Sequence, residues 1–97
     1  MGNVRILNFQ NDYHFIFDEN ISLKAKGLML QLLALQQNEQ CASNTWIARH
    51  SSDKRFSILN AIDELKEFNY LKIQKNGMEY IWFVDPNGKG EFEYDNI

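Results

Sequence analysis

A chain of 97 residues with 44% hydrophobic residues is long enough for one domain with a core and too short for two. Its single cysteine, Cys41, excludes a disulfide framework and predicts a cytoplasmic setting, and no apolar run is long enough to span a membrane. The net charge of −3 argues against a general binder of polyanions. His14 and His50 lie far apart and form no zinc pattern with one cysteine, so we expect no metal and no other cofactor.

The negative charge is concentrated at the C-terminal end. Residues 1–84 hold nine acidic and nine basic residues, so their charges cancel. The charged residues that remain are Asp85, Lys89, Glu91, Glu93 and Asp95. We predict a folded domain over residues 1–84 and an acidic tail or linker over residues 85–97, which could alternatively fold over a basic face and compete with DNA. A neutral body with a local basic patch can still bind DNA.

The N-terminal segment contains two short apolar runs, Val4–Phe9 and Tyr13–Phe17, with a turn signal at Asn11-Asp12 between them. Runs of this length predict one or two short strands.

A longer helix follows. Ser22 offers an N-cap oxygen, and Leu23–Gln37 contains no proline and only one glycine, Gly27. Apolar residues lie nearly all round this segment, which predicts a helix buried in the centre of the domain. The polar run Gln36–Gln40 ends it.

Two more helices are predicted from Ser43 onwards. Ser43 is an N-cap candidate for a short helix, and the turn Ser51-Ser52-Asp53 offers oxygens that can cap the next one. In this third helix apolar residues recur at three- and four-residue steps and predict a core-facing stripe. They are Ile58, Ala61, Ile62, Leu65 and Phe68. Two short helices joined by a tight polar turn form a helix-turn-helix unit.

A β-hairpin closes the predicted domain. Asn76-Gly77 is a strong signal for a two-residue hairpin turn, because both central positions of a type I′ turn need positive φ. A turn there pairs Ile73 with Tyr80 and Leu71 with Trp82 on the face that packs on the helices. The fold class predicted is α+β, a winged helix-turn-helix with three helices, a C-terminal hairpin wing and a short N-terminal strand.

Four segments together resemble a known family. They are Phe15–Phe17, Ile21–Leu28, Ile47–His50 and Ile62–Leu71. The pattern is similar to the N-terminal winged-helix domain of phage and plasmid replication proteins of Gram-positive bacteria, the replisome organisers or DnaD-type initiators. The marks of that family are an opening "LSxKAKGLL" and a close "LxELxxxGYL", and the resemblance covers roughly residues 13–84. Asn69 stands where the family has glycine, and asparagine tolerates the left-handed conformation that a helix C-cap needs.

The resemblance implies a domain that binds duplex DNA, with the third helix in the major groove. Arg55 and Asn60 suit guanine and adenine edges, and Lys54 and Arg49 suit phosphates. Ser57 is also expected to contact the DNA. The wing would add Lys72 and Lys75 on the DNA backbone; alternatively, these lysines form a solvated edge that discourages association between strands of different molecules. Because the predicted contacts include only a few lysine and arginine residues, a single copy should bind DNA weakly. We therefore expect a homodimer or a larger protein.

A second hypothesis is a protein-binding winged helix, such as a phage-encoded adaptor or inhibitor acting on a host or replisome protein. Phe56 and Leu59 are expected near the outer face of the third helix, where an exposed aromatic-aliphatic patch is typical of protein-binding surfaces. Phe56 could instead contact a thymine methyl group, or pack on the wing or on a dimer partner. Asp63 and Glu67 on the same face would repel phosphates. No set of nucleophile, base and orienting residue is visible, so we predict that the protein is not an enzyme.

Overall fold

The computed structural model describes residues 2–6, 13–37 and 41–90 of the chain. The elements in chain order are β1 (Gly2–Ile6), α1 (His14–Phe17), α2 (Leu23–Gln37), β2 (Cys41–Ala42), α3 (Asn44–Arg49), α4 (Arg55–Glu67), β3 (Leu71–Asn76) and β4 (Glu79–Val84). Three main helices followed by an antiparallel hairpin make an α+β winged helix-turn-helix, which confirms the predicted fold class.

The N-terminal segment differs from the prediction in one element. A strand at Tyr13–Phe17 is wrong, because His14–Phe17 forms the single helical turn α1. Tyr13 has a positive φ of 53°, and its carbonyl accepts the N–H of Ile16. Only Phe15 enters the core, whereas Phe17 is exposed, so the segment does not bury alternate residues as a strand would. The earlier strand is confirmed as β1, and the residues from 7 to 9 that were also assigned to it lie outside the described part.

β1 lies inside a four-stranded sheet of order β2-β1-β4-β3. It runs parallel to β4 and antiparallel to β2, while β3 and β4 form the hairpin. Val4 is buried and pairs with Trp82 of β4. The N-terminal strand therefore joins the wing to the short strand that precedes α3.

The turn of the hairpin is displaced from its predicted place. Asn76 pairs with Glu79, so Gly77 and Met78 are the central residues and the predicted turn at Asn76-Gly77 is wrong. Gly77 has a φ of 66° at the first central position, which is the requirement of a type II′ turn, and Asn76 extends β3 instead. Ile73 thus pairs with Trp82 rather than with Tyr80. The shift is an even number of residues, so the same side chains still face the helices.

The core lies between α2, α4 and the inner face of the hairpin. Its members include Phe15, Met29, Leu32, Leu65, Tyr70, Leu71, Trp82 and Val84. The predicted stripe of α4 is confirmed, with Phe68 packed at its edge. The Ser22 cap is also confirmed, because its Oγ accepts the N–H of Ala25 at 3.2 Å. The prediction that α2 is buried on all sides is wrong for one stripe of the helix, where Leu23 and Leu30 are exposed.

The link from α4 to the wing is a helix cap with a left-handed residue. Asn69 has a φ of 68°, as its place in the motif predicted. The N–H of Tyr70 donates to the carbonyl of Leu65 at 2.9 Å, and the N–H of Asn69 to that of Lys66 at 3.3 Å. These are the two hydrogen bonds of a Schellman motif, which ends α4 and turns the chain directly into β3.

Tyr70 also ties this junction to the end of α1. Its buried hydroxyl donates to Asp18 Oδ2 at 2.6 Å. That hydrogen bond holds the pKa of Asp18 below its ordinary value of 3.8. Burial, followed by the hydrogen bond to Asp18, raises the pKa of Tyr70 well above its usual range.

We predict that Tyr70→Phe, which keeps the ring, lowers the free energy of unfolding at about pH 7 by about 1–2 kcal/mol. The lowered pKa of Asp18 makes this contribution present at neutral pH and lost as the pH falls through the folded-state pKa. Urea unfolding should therefore show a difference in the free energy of unfolding between the two proteins that narrows as the pH falls below 3.8. Tyr80→Phe, which removes the hydroxyl of a half-exposed tyrosine, should change the free energy of unfolding by less than about 0.5 kcal/mol, and this change should not depend on pH. If the difference in the free energy of unfolding between wild type and Tyr70→Phe stayed the same in acid, Tyr70 would not be bonded to the charged form of Asp18.

Residues 85–90 fold back beside Tyr70. Asp85 and Pro86 are buried, and the N–H of Asp85 donates to the carbonyl of Tyr70 at 2.9 Å. The domain boundary after residue 84 stays a prediction, and the part of the tail from residue 91 onwards lies outside the described residues.

Candidate nucleic-acid interface

The short helix α3 is fixed at both ends. Ser43 Oγ accepts the N–H of Trp46 at 3.0 Å, which confirms Ser43 as its N-cap. At the other end the His50 ring stacks on the Trp46 ring at 4.1 Å, and its Nδ1 lies 2.8 Å from the Trp46 carbonyl. Ile47 is buried in the core. The turn that follows α3 therefore starts from an anchored position.

The turn between α3 and α4 does not cap α4 in the predicted way. Ser51 Oγ accepts the N–H of Asp53 at 2.9 Å and donates to Asp53 Oδ2 at 3.3 Å, so these oxygens stabilise the turn itself. The predicted cap by residues 51–53 is wrong, because Lys54 takes the N-cap position and its side chain makes no capping bond. The positive end of the α4 dipole consequently lies beside Lys54 and Arg55, which are both exposed. The dipole and the two side chains together favour the binding of an anion.

The outer ridge of α4 has the rotation that the core stripe predicted. Phe56, Asn60, Asp63 and Glu67 are all exposed, and the side chain of Phe56 is 82% exposed. Leu59 is half-buried on one flank, so it is less accessible than the protein-binding hypothesis assumed. The ridge carries Phe56 and Asn60 in the first half of α4 and the acidic residues Asp63 and Glu67 in the second half.

The predicted DNA contacts fall into two groups. Lys54, the N-cap residue of α4, is exposed, and so are Arg55 and Asn60 in the first half of this helix. Arg49 is exposed in the last turn of α3. Ser57 is half-buried, on the flank of α4 that faces α2. In the wing, Lys72 pairs with Phe83 and Lys75 with Tyr80, so these two lysines lie on opposite faces of the hairpin. Their contacts with DNA stay predictions.

Two residues of α2 and its cap reach this site although sequence reasoning did not include them. Lys24 Nζ donates to Ser57 Oγ at 3.1 Å and lies 4.0 Å from Asp53 Oδ1. Ser22 donates from both its N–H and its Oγ to the Glu64 carboxylate, the latter at 3.0 Å. Both residues belong to the opening motif "LSxKAKGLL", and Ser22 was also predicted as an N-cap, but neither signal indicated a contact with α4.

A cleft of about 410 Å³ separates the first half of α2 from the turn between α3 and α4. Its floor is apolar and includes Ile47, Ile58 and Ala61, and its rim includes Lys24 and Asp53. Lys24 and Asp53, at the rim, are open to solvent, with side-chain exposures of 54% and 42%.

Comparison with family models matches residues 19–71 to a model described as Helix-turn-helix domain, and this range is more than half of the chain. The chain belongs to this helix-turn-helix family. The match includes all of α2, α3 and α4 and stops at the first residue of β3. Domains of this family generally bind DNA and are not enzymes. No curated protein and no solved structure gives a match.

Two further observations concern the part of the chain that the structure describes. None of its helices is long and apolar enough to cross a membrane. Its histidine, cysteine, aspartate and glutamate side chains form no group of three that could hold a metal ion.

Proposed function

We propose that this helix-turn-helix domain binds duplex DNA with α4 in the major groove, as part of a phage or plasmid replication initiator or a related regulator. The observation that carries the DNA proposal is the exposed first half of α4. There Lys54 and Arg55 lie at the positive end of the helix dipole, directly after an anchored α3, and Asn60 is exposed one turn further along α4. The family match supports DNA as the ligand.

Each side chain has a role that its chemistry suits. The planar guanidinium of Arg55 can donate two hydrogen bonds to guanine, and the Asn60 amide can pair with adenine. Lys54, Arg49 and Ser57 would bind phosphates and so set the position of α4 in the groove. Lys72 and Lys75, on opposite faces of the wing, would each meet the backbone from a different side.

The charge pattern limits how tightly one copy can bind. Asp63 and Glu67 lie on the same ridge as Asn60, so the second half of α4 would repel phosphates. DNA would thus be held mainly by the first half of α4, by Arg49 and by the wing. We propose that two copies bind together, since doubling the contacts offsets the small number of cations.

We predict that the protein retains a short duplex at low salt and loses it steeply as salt rises. Four cationic phosphate contacts in each copy would give a slope of log K against log salt of about −4 for every copy bound to the duplex. Fluorescence anisotropy of a labelled duplex across a salt series, with the same strand single-stranded as a control, measures this slope. Failure to retain any duplex at about 50 mM salt would reject DNA as the ligand.

The replication role rests on the resemblance alone and needs its own test. An initiator must mark the place where replication of its own replicon begins. Footprinting across the DNA that encodes the protein should then show a cluster of protected sites, and uniform weak protection would contradict an initiator.

The second candidate is a protein-binding winged helix, and the exposure of Phe56 favours it. A large apolar side chain in water at the centre of a recognition surface needs a partner. If the salt series finds no duplex bound, Phe56 and the half-buried Leu59 become the anchor of a protein-binding surface with Asp63 and Glu67 at its edge.

A further inference from the structure

Lys24 lies on a different element from all the proposed DNA contacts, yet its side chain ends beside them. It occupies the first turn of α2, and its Nζ reaches Ser57 Oγ at 3.1 Å and Asp53 Oδ1 at 4.0 Å. Ser57 is in the first turn of α4, and Asp53 immediately precedes the N-cap residue Lys54. One ammonium group therefore connects α2 to the turn and to the start of α4.

Asp53 is an unfavourable group at this place. Its side chain is 42% exposed and directly precedes Lys54 and Arg55 in the chain. A carboxylate next to these cations reduces the attraction that an approaching phosphate feels. The positive Lys24 ammonium group, 4.0 Å away, partly neutralises the negative charge of the Asp53 carboxylate. Since both side chains are partly in water, the pair stabilises the free fold only slightly, but it changes the local charge that DNA meets.

A second contact on the same flank of α4 holds the helix further along. The N–H and Oγ of Ser22 both donate to the Glu64 carboxylate. Ser57 and Glu64 are seven residues apart, about two turns of helix, so both face α2. Ties at two points along one flank fix the rotation of α4 as well as its starting point. That rotation decides which side chains form the outer ridge.

We infer that Lys24 is a positioning residue of the DNA interface: its hydrogen bond to Ser57 holds the ammonium group beside Asp53, where it neutralises that carboxylate without contacting DNA itself. The inference rests on the proposed function. Its distinguishing consequence is that the effect of Lys24 on DNA affinity passes through Asp53. Removing the Asp53 charge should therefore make Lys24 dispensable.

The test compares four proteins by fluorescence anisotropy with one labelled duplex: wild type, Lys24→Met, Asp53→Asn and the double variant. Lys24→Met should weaken binding by about three- to tenfold, and the double variant should return to within about twofold of wild type. The salt slope of Lys24→Met should equal that of wild type, because no phosphate contact is lost. Lys24→Arg, which keeps the charge and the donors, should bind as wild type does.

Lys26→Met is the matched control, because it removes the same charge from α2, two residues further on and with no bond to α4 among the described residues. It should change binding by less than about twofold. In the free protein, hydrogen exchange of the Ile58 amide, which donates to the Lys54 carbonyl and closes the first turn of α4, should be faster in Lys24→Met than in Lys26→Met. This measurement checks the contact with α4 where no DNA is present.

The outcomes separate the inference from the function it rests on. No binding by wild type rejects the proposed function and the inference together. Equal binding by wild type and Lys24→Met rejects the inference alone. A loss in Lys24→Met that persists in the Asp53→Asn background, with a salt slope smaller by about 0.9, makes Lys24 a phosphate contact and also overturns the inference.

Discussion

Replacing Lys54 and Arg55 together by alanine should weaken duplex binding on the order of 100-fold at moderate salt. A bidentate contact from arginine to guanine contributes about 1–3 kcal/mol, and a lost phosphate contact from lysine adds to this. Each 1.4 kcal/mol is about a factor of ten in affinity, so the pair accounts for about two powers of ten. The salt slope should also become smaller by about one to two, because one or two cations no longer displace counterions. Fluorescence anisotropy with the duplex used for wild type measures both quantities.

The control for this experiment must remove two positive charges elsewhere. Lys66, in the last turn of α4, and Lys89, beyond the wing, are exposed and have no proposed DNA contact. Lys66→Ala/Lys89→Ala should lower the affinity by less than about fivefold through net charge alone. Circular dichroism should show that both double variants keep the helical content of wild type. Equal losses in the two double variants would mean that total charge, and not the start of α4, attracts DNA.

The parts of the fold that were predicted correctly are those that depend on short stretches of chain. Ser22 and Ser43 cap the helices that follow them because a side-chain oxygen reaches an N–H three residues ahead. Asn69 ends α4 because few residues tolerate a φ of 68°. The spacing of Ile58 and Leu65 likewise sets the rotation of α4, since one buried stripe determines the opposite ridge.

The parts that were wrong depend on tertiary contacts. His14–Phe17 has the composition of a strand, but burial of a single side chain, Phe15, in the core suits one helical turn. The hairpin turn could form at Asn76-Gly77 or at Gly77-Met78, and pairing of Asn76 with Glu79 selects the second. Local residue preferences do not distinguish these alternatives.

The candidate site shows the same division. The exposure of Arg55 and Asn60 followed from helical periodicity within α4. The contact between Lys24 and Ser57 joins residues 33 positions apart, and that between Ser22 and Glu64 joins residues 42 positions apart. No local pattern predicts such pairs, because they arise only when α2 packs against α4. The supporting residues of the site therefore became visible only in the three-dimensional structure.

Asp85 was assigned to the acidic tail, but its surroundings are those of a structural residue, and Asp85→Ala should destabilise the domain strongly. Its side chain is only 4% exposed. Its carboxylate accepts backbone N–H groups of Asn87 at 3.0 Å, Lys89 at 2.9 Å and Gly90 at 3.1 Å. The turn it organises packs on Tyr70 so closely that a Cβ at Gly88 would lie 2.7 Å from the ring.

Alanine at position 85 leaves those three partly buried N–H groups without their acceptor. Each costs about 1 kcal/mol, so the free energy of unfolding should fall by about 2–4 kcal/mol and Tm by roughly 10–20 °C. Asp85→Asn keeps one acceptor oxygen and should lose less. Asp63→Ala removes the same charge from an exposed position and should change stability by less than about 0.5 kcal/mol. Thermal and urea unfolding of wild type and the three variants measure these changes. If Asp85→Ala lost no more stability than Asp63→Ala, Asp85 would be an ordinary residue of a solvated tail. The expected loss would instead place the first residues after the wing among those that stabilise the fold.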